Sequence, residues 1–207
     1  MKEDNKLNRQ TSDNPEVKDP LAWEEVHTEH VIKDDWIDLR RSSWRLPDGS
    51  VFEPFYSYSR RDFVVVVASD TEGNYLCVRQ FRHGIKQVTT EFPAGGIERK
   101  NDESSWQDVS VEDALLAAKR ELREETGYQS DEWKYLLSVP SNASLADNYA
   151  HLFVARNCRK VSGQELDVTE FLNVIKLPAR KIEEMIAGGQ FQQAIHIAAW
   201  LLALREK

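Results

Sequence analysis

Three glutamates carry the chemistry that this chain is built to do. Glu121, Glu124 and Glu125 stand at i, i+3 and i+4 in the run Arg120-Glu121-Leu122-Arg123-Glu124-Glu125-Thr126-Gly127-Tyr128. At 3.6 residues per turn this spacing puts all three carboxylates on one helix face, within roughly 6 Å of one another. Like charges that close repel unless a cation sits among them. Hard oxygen donors with no His or Cys converging on them suit Mg²⁺ or Mn²⁺, not zinc. Taken alone, the same hexapeptide also reads as a solvated helix laced with Glu and Arg pairs, so its surroundings have to decide.

The element that must hold them carries signals at both ends. Ser110 with Glu112 and Asp113 after it reads as an N-cap with a near capping box, and Gly127 reads as the stop, which predicts a helix of about four turns. Leu115, Ala118 and Leu122 recur at i, i+3 and i+7, the stripe that fixes such a helix against a core. Just upstream, Glu91-Phe92-Pro93-Ala94-Gly95-Gly96 ends an apolar, strand-like run.

Together these residues resemble the Nudix box, Gly-x5-Glu-x7-Arg-Glu-U-x-Glu-Glu-x-Gly-U with U a bulky apolar residue. Gly95, Glu112, Arg120, Glu121, Leu122, Glu124, Glu125 and Gly127 take its fixed places, and the seven-residue spacer 113–119 is intact. The first spacer departs from the pattern: positions 96–111 make sixteen residues where the box has five, so eleven extra residues, including 99–106, bulge out before the helix. A lid, a dimer contact and a tolerated surface loop are all open roles for them. Tyr128 is aromatic where an aliphatic residue is usual.

The resemblance implies an α/β fold, the Nudix α/β/α sandwich around a mixed sheet. It also implies roles. Glu121 and Glu125 become direct metal ligands, Glu124 a ligand or the holder of a metal-bound water, and the backbone carbonyl of Ala94 completes the site. Gly95, Glu112 and Arg120 become supports, with Arg120 one turn from Glu124 orienting the cluster and Glu112 fixing Arg120 or the loop.

The rest of the chain divides around this centre. Residues 1–25 are polar and read as a flexible segment. Residues 26–60 read as a small antiparallel sheet, with strand-like stretches at 31–32, 36–40 and 51–56 and a Pro-Asp-Gly turn at 47–49. Residues 61–207 form the main domain. In it 62–68 is a β-branched run typical of a central strand covered on both faces, 71–74 a hairpin turn and 75–82 the return strand. Strands follow at 132–139, 151–156 and 172–177, and helices at 179–187 and 192–204. The last helix is read with Ile195, Ala198, Ala199 and Leu202 inward and His196 as an ordinary helix histidine.

The order Val-Arg-Gln-Phe-Arg followed by Glu-Phe-Pro-Ala-Gly is similar to the ADP-ribose pyrophosphatase branch of that family. On this resemblance Arg82 grips a phosphate, with Arg79 and Glu91 as further substrate contacts; a surface charge is the plainer reading of the arginines. In the same branch the N-terminal sheet pairs two subunits and its aromatics stack the nucleobase, which makes Trp36 and Phe52 the candidates, against a plain role in sheet packing. Residues 141–148 take the place of a substrate loop. Glu170, just before the strand at 172–177, takes the place of the general base, with Glu165 in reserve.

The whole chain limits the partners. With 207 residues and 41% hydrophobic content it has enough apolar material for one sizeable core and an appendage. A net charge of −8 speaks against nucleic acid, and no run approaches the length of a membrane span. Cys77 and Cys158 are isolated and read as buried free thiols, which suits a reducing, cytoplasmic compartment. The resulting expectation is a homodimeric Mg²⁺-dependent hydrolase of the diphosphate linkage in ADP-ribose or a related nucleotide sugar. Its catalytic residues are Glu121, Glu125 and Glu170. Cleavage of a nucleoside triphosphate and non-catalytic sensing of ADP-ribose are the alternatives.

Overall fold

In a computed structural model, which describes residues 19–98 and 109–206, the central helix forms between the two signals that bracket it. Ser110 Oγ accepts the Asp113 N–H at 3.1 Å while the Asp113 carboxylate takes the Ser110 N–H at 3.2 Å, a complete capping box. Helix α1, Val111–Thr126, ends at Gly127, whose φ of 75° turns the chain out of the helix as its N–H bonds Arg123 O at 2.7 Å. Most of the long first spacer, 99–108, lies outside the described residues.

The strands are β1 (Glu24–Lys33), β2 (Asp38–Arg45), β3 (Val51–Ser59), β4 (Phe63–Asp70), β5 (Tyr75–Arg82), β6 (Gln87–Glu91), β7 (Ala94–Gly96), β8 (Tyr128–Gln129), β9 (Glu132–Pro140), β10 (Tyr149–Lys160) and β11 (Leu172–Leu177). Helices α2 (Ala179–Ala187) and α3 (Ala194–Ala203) close the chain. Among the described residues β1, β2 and β3 make a three-stranded antiparallel sheet. An eight-stranded sheet runs β11-β5-β4-β10-β8, with β6, β7 and β9 attached to β5, β4 and β10. Its β4 and β10 are parallel and its other pairs antiparallel, so the sheet is mixed.

Strand β4 explains the layering. Val64 to Ala68 are all buried, and they alternate between two cores. Val64, Val66 and Ala68 pack with Leu76, Phe153 and the α1 residues Ala114, Ala118 and Leu122. Val65 and Val67 pack on the opposite face with Leu152, Ile182, Phe191, Ala199 and Trp200, under α2 and α3. A run that is apolar on both faces is what a strand between two helical layers requires. The α/β/α sandwich and the N-terminal sheet are thus as expected.

Three local departures have physical causes. The strand expected over 36–40 begins at Asp38, because the Asp34 carboxylate accepts the N–H groups of Trp36 and Ile37 at 2.8 and 2.9 Å and holds them in a turn. Strand β10 outruns the expected 151–156. A shift in register at Asn157, where φ is 53°, lets its far end pair with β8. The inward face of α3 is His196, Ala199 and Trp200, with Ile195 and Leu202 only partly buried, so the face is turned relative to the apolar stripe.

Burial pushes the thiols of Cys77 and Cys158 up to about 12, and both are free and buried. No helix among the described residues is long and apolar enough to cross a membrane.

Candidate active site

The turn from β6 through β7 runs directly beneath α1. Glu125 Oε2 accepts the Ala94 N–H at 3.0 Å, so the last glutamate of the box is anchored to the strand by a backbone bond. The Glu121 carboxyl lies on the α-carbon of Gly95, so near that a Cβ built there would stand 2.0 Å from Glu121 Cδ. Both carboxylates are buried, at 6% exposure for Glu121 and 2% for Glu125. Glu124, one turn from Arg120, is half-buried, its side chain 33% accessible.

Arg120 binds the cluster together. Its Nη1 donates to Glu124 Oε2 at 2.7 Å, and its Nη2 donates to Glu121 Oε1 at 2.7 Å and to Gly96 O at 3.0 Å. Arg120 thus touches both Glu121 and Glu124. Glu112, exposed in the first turn of α1, is not among its partners. The loop that Glu112 was otherwise expected to fix lies outside the described residues.

Charge and burial work against each other here. Burial, with the charges of Glu124 and Glu170 adding to it, pushes Glu121 up to about 7 despite Arg120. Burial likewise raises Glu125 well above the usual carboxylate range; Glu121 and Glu170 raise it further, while the Ala94 N–H and Arg82 pull the other way. Glu170 is thus within electrostatic reach of both buried carboxylates and of Arg82. Its own carboxylate accepts the Asp167 N–H at 3.1 Å. Glu165 is exposed and turned to the helix instead, pairing with Arg123 at 3.2 Å.

Arg82 does not point freely into solvent. Its Nε and Nη2 donate to Glu91 Oε1 and Oε2 at 2.9 and 2.6 Å. Burial raises the Glu91 carboxyl most strongly, yet the bonds and charge of Arg82, the charge of His196 and the Thr89 hydroxyl together outweigh it and bring the group down to about 2. Arg79 is exposed on β5, opposite Thr90 and Asn173. The structure does not bring Trp36 and Phe52 to the carboxylates. Trp36 is 78% exposed and Phe52 is 55% exposed, its ring tilted on Phe55 at 5.4 Å. Neither is core, which removes the plain packing role for Trp36.

The donor set fits a hard divalent cation: buried carboxylate oxygens whose mutual repulsion a 2+ charge would relieve. Among the described residues no three acidic, His or Cys side chains converge on one point; Arg120 bridges Glu121 and Glu124, and the Ala94 N–H holds Glu125.

Two features lay outside the sequence reading. A buried relay joins Asp62 Oδ2 to His151 Nε2 at 3.1 Å, His151 Nδ1 to Ser138 Oγ at 2.6 Å and Ser138 Oγ to Tyr135 at 2.8 Å, tying the residue before β4 to β9 and β10. The loop 141–148 is bound to the N-terminal sheet: Asp147 Oδ2 accepts Ser59 Oγ at 2.5 Å and Arg40 Nη2 at 2.9 Å, and Tyr58 N–H bonds Leu145 O. These bonds join partners separated by 87 to 107 positions, and no local pattern encodes them. A concavity of about 560 Å³, bordered by Lys119, Trp133, Arg159 and Lys160, contains none of the expected site residues.

The fold and the braced carboxylates define a Nudix hydrolase, an enzyme of phosphorus anhydrides. The Nudix domain model matches residues 59–185, more than half of the chain, and the chain belongs to that family. It is 28% identical over 187 residues to an ADP-ribose pyrophosphatase of Mycobacterium tuberculosis, covering 87% of this chain and 80% of that one. An ADP-ribose pyrophosphatase of Bacillus subtilis is 29% identical over 176 residues, covering 82% and 85%. A methanol dehydrogenase activator of Bacillus methanolicus is 29% identical over 159 residues, covering 73% and 76%. A solved structure described as an ADP compounds hydrolase superposes with a TM-score of 0.74 over 91% of this chain and 96% of its own, at 18% identity, and shares the fold.

Proposed function

We propose that this protein hydrolyses the diphosphate linkage of ADP-ribose or a related nucleoside diphosphate sugar, releasing a nucleoside monophosphate and a sugar phosphate. The observation that carries the reading is the pair of buried glutamates, Glu121 and Glu125, seated on the Gly95 and Ala94 backbone with a third acidic group, Glu170, in electrostatic reach. The similarity to two ADP-ribose pyrophosphatases along more than four-fifths of the chain supports the substrate class.

Mg²⁺ or Mn²⁺ would be held by Glu121, Glu124 and Glu125 with the Ala94 carbonyl. When bound, such an ion neutralises diphosphate charge and lowers the pKa of a coordinated water. The chain's own groups do the rest. Arg120 keeps Glu121 and Glu124 in register, and Gly95 leaves room for Glu121. Arg82, held by Glu91, presents its remaining donors to a phosphate, and Arg79 adds positive charge beside it. Glu170 takes the proton of the attacking water, as a general base near the cluster should. Glu121 and Glu125, as metal holders, complete the catalytic set.

The N-terminal sheet supplies the base site and the dimer. Val31, Ile32, Val51 and Phe52 on the three-stranded sheet and Trp23 beside it are half exposed, apolar area that a second copy of the chain would cover in part. Trp36 and Phe52 then meet the nucleobase across the subunits. Free, buried cysteines accord with a cytoplasmic setting.

Product analysis tests the reading. Purified protein with Mg²⁺ should convert ADP-ribose to AMP and ribose 5-phosphate, and Trp36→Ala should raise KM for ADP-ribose while leaving Tm unchanged. Release of pyrophosphate from nucleoside triphosphates alone, or tight ADP-ribose binding without turnover, would overturn it.

A further inference from the structure

The Glu91 carboxylate is wholly buried and gripped from three elements. Besides the two bonds from Arg82, Oε1 accepts the Thr89 hydroxyl and, at 3.3 Å, the side-chain amide of Gln193. Gln193 is the residue that caps α3, yet its side chain makes no capping bond and reaches for Glu91 instead. Three residues on, His196 accepts the Phe92 N–H at Nδ1 at 3.1 Å, which leaves the ring proton on Nε2. That Nε2 lies 3.8 Å from Glu91 Oε2. The ring is buried and parallel to that of Phe92, with 6° between their planes.

A buried carboxylate stays ionised in one position only while its donors stay in place. Two of the five N–H groups of Arg82 go to Glu91. Nη1 has no partner among the described residues, and the guanidinium charge acts on Glu125 and Glu170. Whatever fixes Glu91 therefore aims Arg82.

We infer that Gln193 and His196, on the C-terminal helix, are positioning residues for Arg82: they lock Glu91, and Glu91 sets the direction of the guanidinium donors that meet the diphosphate. This rests on the reading of Arg82 as the phosphate contact. It gives α3 a part in substrate recognition although none of its residues belongs to the box.

Two variants separate this from a packing role. Gln193→Ala removes only the amide, at a half-buried position. His196→Asn keeps an acceptor for the Phe92 N–H and removes the nitrogen facing Glu91. Each should raise KM for ADP-ribose on the order of fivefold to tenfold while kcat stays within about twofold. In an Arg82→Ala background Gln193→Ala should have no further effect on kcat/KM. The Arg82 Nε–H signal in nitrogen-15 NMR spectra should move in both variants. An equal loss from Gln193→Ala with and without Arg82, or an Nε–H signal that does not move, overturns the inference. A wild-type protein that turns over no diphosphate sinks the functional reading instead, and the Arg82 signal then decides the inference alone.

Discussion

The Glu121 carboxyl rests against the α-carbon of Gly95, with both of its oxygens 2.2 Å from where a Cβ would be. No side chain can share that space. What would have to move, however, is the far end of a flexible glutamate, not backbone. Gly95→Ala should therefore leave folding stability within about 1 kcal/mol of wild type while lowering kcat on the order of a hundredfold, the usual cost of misplacing a reacting group by about 1 Å. Thermal unfolding and steady-state kinetics on the same preparation check both halves.

His196 gives stability a pH dependence of known sign. Burial lowers its pKa to about 4 from an ordinary 6.5, the Glu91 charge opposing, and the Phe92 N–H at Nδ1 independently requires the neutral ring. Between pH 6.5 and 4 the unfolded chain takes up a proton that the native ring refuses. Stability contributed by this group is full above pH 6.5, falls as pH drops, and levels off below 4, a loss of about 3 kcal/mol. Urea unfolding from pH 7.5 to 4 should show this extra slope in wild type and not in His196→Asn.

Glu170 and Glu165 can be told apart by their surroundings. Glu170 perturbs both buried carboxylates, whereas Glu165 is spent on a surface pair with Arg123. As the proposed base, Glu170→Gln should lower kcat by roughly a hundredfold to ten-thousandfold. Glu165→Gln should leave kcat unchanged and cost under about 1 kcal/mol of stability. Rate measurements at saturating ADP-ribose and Mg²⁺ distinguish the two.

Asp147 clamps the N-terminal sheet to the loop 141–148. Among the described residues the buried Nε of Arg40 has no partner, so the bond from its Nη2 to Asp147 is what offsets the burial of that guanidinium. Asp147→Ala should destabilise by about 1–3 kcal/mol. The three-stranded sheet should also become a site of early cleavage in limited proteolysis, ahead of global unfolding.

The parts legible from sequence are those that depend on spacing within one element. Ser110, Asp113 and Gly127 fix the helix ends, the i, i+3, i+4 glutamates follow from its pitch, and the run from Val64 to Ala68 declares a strand covered on both sides. Illegible were contacts made across the fold. Nothing near Glu121 announces that its carboxyl needs Gly95. The turn of α3 could not be read from its apolar residues, because the Phe92 N–H, an otherwise unpaired backbone donor, demands the imidazole of His196. Trp36 looked like strand because the competing acceptor, Asp34, acts through its side chain.

Gly127 has a second task beyond ending α1. Val161 and Ser162 donate their N–H groups to Gly127 O at 2.8 and 3.2 Å, and a Cβ at position 127 would stand 2.4 Å from Ser162 O. The segment leading to Glu165 and Glu170 is thereby moored to the same helix that carries Glu121 and Glu125. A larger residue at 127 pushes against unyielding main chain and pries the two acidic groups apart. A screen for inactive variants would therefore flag this glycine beside the glutamates, though it never meets a nucleotide.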